Sequence, residues 1–273
     1  IERAVLKRLS GLVGAPKTAS SLLTLQEAVT KVDLAAARAR YSARLGGQPV
    51  AFRDPVEGLA EDASVGVQLP GLRHPLLVWR STAEQVDNSQ MVPMDVTVPP
   101  GVRAVVITGP NTGGKTVMLK TLGMAALMAK AGLRVLCEPS TGLDGKVTVP
   151  FFESVMADIG DDQSIVQSLS TFSAHVARMR RILAHASEAQ GRALVLLDEV
   201  GSGTDPTEGS ALGMAVLRQL VNNAALTLAT THHGRLKSLK YADSSGAFEN
   251  ACVEFDVESM APTYRLLWGI PGK

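Results

Sequence analysis

The hydrophobic residues near the start of the chain recur with the spacing of a helix. Up to about position 45 they fall three or four residues apart, which places them on one stripe of a helical surface. That stripe consists of Leu22, Leu25, Val29, Val32, Ala36 and Ala39. The Gly14-Ala15-Pro16 break predicts a shorter, separate helix before it, because glycine and proline interrupt helices. The pattern fits a coiled-coil arm and a pair of helices packed on a domain equally well.

Residues 46–100 are rich in glycine and proline and hold only short apolar stretches. Such a segment predicts loops and short strands at the entry to a main domain. The stretch Leu76-Leu77-Val78-Trp79 is interpreted as one of these strands.

From residue 101 onward, apolar strands alternate with helical patterns. Strands that are apolar on both faces are predicted at 104–108, 193–197 and 226–230. Helices are predicted at roughly 115–131, 162–185 and 207–221, and an added strand pair at 251–255 and 263–267. Buried strands alternating with helices predict an α/β fold with a mostly parallel sheet that helices flank.

Composition narrows the class of protein further. The 273 residues are 45% hydrophobic and 19% charged, as in a globular protein. A net charge of +1 argues against a dominant nucleic-acid-binding surface on this chain. Two cysteines, Cys137 and Cys252, are too few for a disulfide framework or a metal cluster. No apolar run is long enough to span a bilayer, so no membrane partner is expected.

A glycine-rich segment with the spacing G-x-x-x-x-G-K-T, the P-loop or Walker A pattern, joins a predicted buried strand to a predicted helix. It consists of Gly109, Pro110, Asn111, Thr112, Gly113, Gly114, Lys115 and Thr116. Its glycines let backbone N–H groups point inward, and the helix N-terminus adds partial positive charge. We therefore predict a nucleotide-binding site in which Lys115 reaches the β- and γ-phosphates and Thr116 ligates Mg²⁺.

Two carboxylates follow the second buried strand, at the edge where ligands bind in open parallel sheets. Asp198 is expected to hold Mg²⁺ through water, and Glu199 to polarise the attacking water as the general base. A small-molecule kinase would not need this second carboxylate, so the pair favours a hydrolase. His232, just past the third strand, is a further catalytic candidate because it can meet a γ-phosphate there.

Three arginines of the helix predicted at 162–185 allow two interpretations. Arg178, Arg180 and Arg181 are interpreted as a solvated helix face, with a contact to another domain or partner as the alternative.

Together these motifs resemble the MutS family of DNA-repair ATPases, part of the wider ABC-type group of P-loop NTPases. The likeness includes the Pro-Asn pair of the glycine-rich segment, Asp198-Glu199 as the Walker B pair, and Thr231-His232. Ser170, Thr171 and Phe172 resemble the family's S-T-F signature. That likeness implies that they cross to the nucleotide of a partner subunit.

Longer stretches resemble the MutS-two branch, the endonuclease MutS type II. They are Asp158–Ser164, Ser168–Ser173, Gly203–Gly209, Asn250–Asp256 and Pro262–Leu267. The resemblance implies a helical lever or clamp remnant over 1–48 and a MutS-type ATPase domain over 49–273. The chain is expected to be a fragment that lacks the dimerisation helices and the nuclease domain, so no endonuclease activity is expected from it.

The resemblance implies an ATPase core of a DNA-binding protein that uses ATP and Mg²⁺. Closure of a homodimer through composite nucleotide sites would be coupled to a DNA clamp, with DNA bound mostly by domains outside this chain. The client would be mismatched or branched DNA, in mismatch repair or suppression of recombination. The alternatives are the same ATPase acting in ribosome rescue and a general ABC-type ATPase. The latter is disfavoured because Ser168–Phe172 replaces the L-S-G-G-Q signature.

The chain departs from the mismatch-repair members at the adenine site. Met91 and Val92 stand where those members carry a phenylalanine that stacks on adenine, so apolar contact with the base is expected from them. The stretch Leu267–Gly269 resembles cyanobacterial and plastid members, which implies a bacterial cytoplasm or a chloroplast.

Overall fold

The computed structural model describes residues 1–53, 66–84, 92–139, 147–160, 168–256 and 261–272. The chain divides into two compact units, Ile1–Arg44 and Leu45–Lys273. Within the described ranges, none of the helices combines the length with the hydropathy that a bilayer span requires.

The first unit consists of two helices, α1 (Glu2–Val13) and α2 (Pro16–Leu45). The break between them falls at the predicted glycine and proline, and Pro16 opens α2, where a missing N–H leaves no helical hydrogen bond unmade. Both helices are described throughout, and neither contains a buried residue. The predicted apolar stripe therefore lies on the surface of this unit.

The second unit contains ten strands and five α-helices within the part that the structure describes. In chain order they are β1 (Val50–Arg53), β2 (Val67–Leu72), α3 (Pro75–Glu84), β3 (Met94–Val98), β4 (Ala104–Thr108), α4 (Lys115–Lys130), β5 (Val147–Pro150), β6 (Ser154–Asp158), α5 (Ser168–Glu188), β7 (Ala193–Leu197), α6 (Pro206–Asn223), β8 (Leu226–Thr230), α7 (Leu239–Ala242), β9 (Phe248–Asp256) and β10 (Ala261–Trp268). The predicted α/β class is confirmed.

Both sheets of this unit are mixed. The larger has six strands in the order β10-β9-β4-β8-β7-β6, with β10 antiparallel to β9 and the other neighbours parallel. The smaller has the order β1-β5-β2-β3, with β1 and β5 parallel and the other pairs antiparallel. Strands β4, β7 and β8 are buried at every position, which is why mainly apolar runs predicted them.

Helices cover both faces of the six-stranded sheet. Alternate residues of each strand point to opposite faces and pack against different helices. On one face, Val105 and Ile107 of β4 belong to the same core cluster as Leu119 and Leu122 of α4. On the other face, Val106 belongs to a second cluster that includes residues of α5 and α6. Because β4, β8 and β7 are parallel neighbours, the segments that follow them lie together at one edge of the sheet.

The prediction of a strand at Leu76–Trp79 is wrong. These residues belong to α3, which begins at Pro75, and the N–H of Leu76 donates to His74 Nδ1 over 3.3 Å. Pro75 and Val78, three residues apart, face inward while Leu76 is exposed. That spacing is helical, and a run of only four apolar residues could not reveal it.

Candidate nucleotide-phosphate site

The segment 109–116 curls between the end of β4 and the start of α4. Asn111–Gly113 form one 3-10 turn, and Gly114 caps α4 with a φ of 83°, in the left-handed region that favours glycine. Among the described residues, no side chain makes a capping hydrogen bond at this helix end. The first amides of α4 are therefore available to an anionic ligand, and the helix dipole favours one.

The β9–β10 pair packs against the glycines of this segment. A Cβ atom on Gly109 or Gly113 would lie 2.4 Å from Val253 Cγ2, and one on Gly114 would lie 3.2 Å from Tyr264 Cδ1. Tyr264 itself has a φ of 59°, within a register shift of β10. The glycines thus permit close packing as well as the turn. Sequence reasoning missed both Val253 and Tyr264, because nothing local links them to a segment about 150 residues away.

Lys115 folds back over the segment that precedes it. The residue is 2% exposed, and its Nζ donates to the Gly109 carbonyl oxygen over 2.5 Å. Burial lowers the pKa of the Lys115 ammonium below its usual value, against the opposing effect of the Glu199 and Asp198 carboxylates. The amine therefore lies beside the curled backbone and within the field of both acids.

Asp198 is held by two threonine hydroxyls from different elements. The Thr116 hydroxyl on α4 donates to Asp198 Oδ2 over 2.6 Å, and the Thr230 hydroxyl at the end of β8 donates to Oδ1 over 2.5 Å. The Asp198 N–H donates to the carbonyl oxygen of Asp158, which ends β6. Sequence reasoning singled out Asp198 and Thr116 but missed Thr230.

Glu199 follows in a left-handed conformation, with a φ of 50°. Its N–H donates to the Thr230 hydroxyl over 2.8 Å, and its carbonyl accepts the Ser202 N–H over 3.0 Å. Its side chain is about half exposed, and His232 Nε2 lies 3.8 Å from Glu199 Oε1. The carboxylate therefore faces solvent at the rim of the site with an imidazole beside it.

The two adjacent histidines have different surroundings. His232 is half exposed at the rim, whereas His233 Nε2 lies 2.9 Å from the Gly201 carbonyl oxygen. Gly201 in turn packs on Gly209 of α6, where a Cβ would lie 2.1 Å from the Gly201 oxygen. His233 thus belongs to the packing of the turn after β7.

A buried carboxylate anchors α5. Asp158 is 4% exposed, and its oxygens lie 2.6 Å from Arg178 Nε and 2.9 Å from His175 Nδ1. The interpretation of Arg178 as part of a solvated face is therefore wrong, because its guanidinium pairs with an acid from β6. Arg180 and Arg181 are exposed.

Several predicted site residues cannot be placed by their side chains. Met91 lies outside the described residues, as do the side chains of Asn111 and of Ser170, Thr171 and Phe172. The backbone of the last three belongs to the first two turns of α5. Val92 is partly buried shortly before β3.

The oxygen donors of this site fit a Mg²⁺ ion. The Thr116 hydroxyl and the Asp198 carboxylate lie together beside the N-terminus of α4, and Mg²⁺ prefers such ligands. Among the described residues, no group of three or more His, Cys, Asp and Glu residues could enclose a metal. Phosphate oxygens and water would therefore complete its coordination.

Comparison with known proteins matches the same region. The family model described as MutS domain V matches residues 105–268, which run from β4 to β10. Proteins named Endonuclease MutS2 from Synechocystis sp., Halothermothrix orenii and Symbiobacterium thermophilum are 47%, 46% and 45% identical to this chain over 100%, 90% and 100% of it. The matches span 33%, 27% and 30% of those proteins, about a third or less of their length. This chain therefore belongs to the MutS family, in its MutS2 branch.

Proposed function

We propose that this chain binds ATP with Mg²⁺ and hydrolyses it to ADP and phosphate. The observation that carries the proposal is the position of Asp198. It accepts hydroxyl hydrogen bonds from Thr116, at the start of α4, and from Thr230, at the end of β8. Lys115 and Glu199 flank it at the same edge of the sheet. A candidate phosphate cradle, candidate magnesium ligands and a candidate base thus lie at one edge of the sheet.

Binding would begin at the 109–116 segment. The amides of the first turn of α4 would donate to the phosphate oxygens, and the Lys115 ammonium would exchange the Gly109 carbonyl oxygen for the β- and γ-phosphates. Thr116 and Asp198 would hold Mg²⁺, which when bound neutralises charge on the phosphates. Met91 and Val92 would give apolar contact to the base.

Hydrolysis would depend on Glu199 and His232. The Glu199 carboxylate is about half exposed and would take a proton from the attacking water. His232, beside that carboxylate, would contact the γ-phosphate. The N–H and the carbonyl oxygen of Glu199 both make hydrogen bonds, which fix its backbone. The carboxylate would therefore need little reorganisation.

The binding step is tested by replacing Lys115. We expect Lys115→Ala to abolish measurable ATP binding in calorimetry, because it removes the cation nearest the phosphate cradle. Lys120→Ala is the matched control, since Lys120 lies on the same helix but is exposed. Unaltered ATP affinity in Lys115→Ala would contradict the proposed phosphate site.

The assembly is proposed on the family resemblance. Two copies of the 49–273 domain would face each other, and Ser170, Thr171 and Phe172 of one copy would complete the nucleotide site of the other. Closure would move the helices of 1–48, which would act as a lever on a DNA clamp formed mostly by other domains. ATP binding would thereby be coupled to the grip on mismatched or branched DNA.

Light scattering of the Glu199→Gln variant with and without Mg-ATP tests this assembly. We expect monomers to become dimers on adding Mg-ATP, and Ser170→Ala to weaken that change. A monomer at saturating Mg-ATP would contradict a composite site in this chain.

A further inference from the structure

Thr230 ends β8 and lies between the two acidic residues that follow β7. Its hydroxyl donates to Asp198 Oδ1 over 2.5 Å and accepts the Glu199 N–H over 2.8 Å. Its main-chain carbonyl accepts the Val200 N–H over 2.9 Å. The residue is fully buried, so water cannot take over these bonds without a rearrangement.

The bond to Asp198 fixes the rotation of that carboxylate. Oδ2 already accepts the Thr116 hydroxyl, so the Thr230 hydroxyl occupies the other oxygen. An acid held at both oxygens has one orientation, and outer hydrogen bonds of this kind orient metal ligands in proteins.

The bond to Glu199 satisfies a backbone group in an unusual place. With a φ of 50°, Glu199 leaves the regular strand conformation, and its N–H pairs with a side chain instead of a neighbouring strand. A residue with a side chain adopts this region only when its surroundings hold it there. The Thr230 hydroxyl is one such restraint, and the Ser202 N–H on the Glu199 carbonyl is another.

We infer that Thr230 is a positioning residue that sets both acidic residues at once. It orients Asp198 for Mg²⁺ and holds the backbone of Glu199 so that its carboxylate faces solvent beside His232. Thr230 acts through these residues and needs no contact with the nucleotide. The inference rests on the proposed function, which supplies the reaction that the two acids serve.

Two substitutions separate the hydroxyl from the shape of the side chain. Thr230→Val removes the hydroxyl and keeps the volume, whereas Thr230→Ser keeps the hydroxyl. Thr227→Val is the matched control, because Thr227 lies in the same strand, is fully buried and has a hydroxyl without a hydrogen-bond partner among the described residues. If Thr230→Val does not fold, Thr230→Ala removes the same hydroxyl without any branched apolar group.

The experiment measures ATP affinity without metal, the Mg²⁺ concentration for half-maximal hydrolysis, the rate at saturating Mg²⁺, and Tm. We expect Thr230→Val to need more Mg²⁺ and to hydrolyse ATP about 10- to 100-fold more slowly. Its metal-free ATP affinity should stay at the wild-type value, since the phosphate cradle is untouched. Thr230→Ser should recover most of the rate, and Thr227→Val should behave as wild type.

The outcomes distinguish this inference from the proposed function. A Thr230→Val variant with wild-type rate and Mg²⁺ requirement would overturn the positioning role while leaving the ATPase proposal intact. If Thr230→Val lowers the rate, the metal-free ATP affinity and Tm together, and Thr230→Ser recovers none of them, Thr230 serves folding alone. That result would also overturn the positioning role. A wild-type chain that neither binds nor hydrolyses ATP would overturn the proposed function, and the positioning role with it.

Discussion

Arg178 Nε lies 2.6 Å from Asp158 Oδ1, which joins α5 to the end of β6. The Asp158 side chain is 5% exposed, and the main chain of the same residue accepts the Asp198 N–H over 2.9 Å. The helix that carries Ser170, Thr171 and Phe172 is therefore tied through Asp158 to the strand end that carries Asp198. This contact gives α5 a fixed position relative to the candidate site.

Arg178→Ala should lower the free energy of unfolding by about 2 kcal/mol, the order expected when a buried polar group loses its partner. The reason is that, among the described residues, the buried carboxylate would keep only His175 as a side-chain partner. Urea denaturation measures the change, and Arg180→Ala, on the exposed side of the same helix, is the control. Equal stabilities of the two variants would contradict the anchoring role of Asp158.

Gly113→Ala should weaken ATP binding by pushing the 109–116 segment away from β9. The new methyl group would lie 2.4 Å from Val253 Cγ2, and overpacking of this kind costs about 1–3 kcal/mol. Calorimetry of ATP binding measures the loss. Adding Val253→Ala to Gly113→Ala makes room for the methyl group and should recover part of the affinity. If the double variant binds ATP no better than Gly113→Ala alone, the loss of affinity would come from something other than the contact with Val253.

Replacing each of the two adjacent histidines should affect a different property of the protein. His232→Ala should slow hydrolysis by about tenfold or more with little change in Tm, because His232 lies at the exposed rim beside Glu199. His233→Ala should lower Tm, because it removes the contact with the Gly201 carbonyl oxygen. Steady-state phosphate release and thermal unfolding of both variants provide the comparison. Loss of rate in His233→Ala alone would reverse the assignment.

Cys137 should make the protein less stable in alkali. The pKa of its thiol is raised from 9.0 to about 11, mainly by burial, with Arg73 lowering it and Glu138 raising it. The folded state therefore keeps a proton that the unfolded chain releases, so the stabilisation is complete below pH 9 and lost as the pH rises through about 11. The free energy of unfolding lost over this range is about 3 kcal/mol. Urea denaturation of wild type and Cys137→Ala across this range measures it. Parallel pH profiles of the two proteins would contradict the shift.

The strands that carry the site residues could be predicted from sequence because strands buried on both faces are mainly apolar. β7 is apolar throughout and β4 is apolar except at Thr108, while β8 alternates apolar residues with two buried threonines. Each strand is followed by residues whose chemistry stands out. Strand β6 lies at the sheet edge and alternates less clearly, so its five residues gave no such signal. Helix α3 was mistaken for a strand because four apolar residues fit either period.

The partners of the site residues could not be predicted in the same way. Thr230 is one of several threonines near the end of β8, and only the register of β7 against β8 brings its hydroxyl to Asp198 and Glu199. Val253 and Tyr264 meet the 109–116 segment because β9 lies beside β4 in the sheet. The sequence does not link Arg178 to its partner, because Asp158 lies on a strand that the hydrophobic pattern does not predict.

Single-turnover hydrolysis of ATP by the wild-type chain and by Glu199→Gln tests the central claim most directly. In the presence of Mg²⁺, the wild type should release phosphate, and the variant should bind ATP equally well but release phosphate about 10²–10⁴-fold more slowly. The substitution keeps the size of the side chain and removes its ability to accept a proton from water. Phosphate release by Glu199→Gln at the wild-type rate, or none from the wild type at saturating Mg-ATP, would contradict the account.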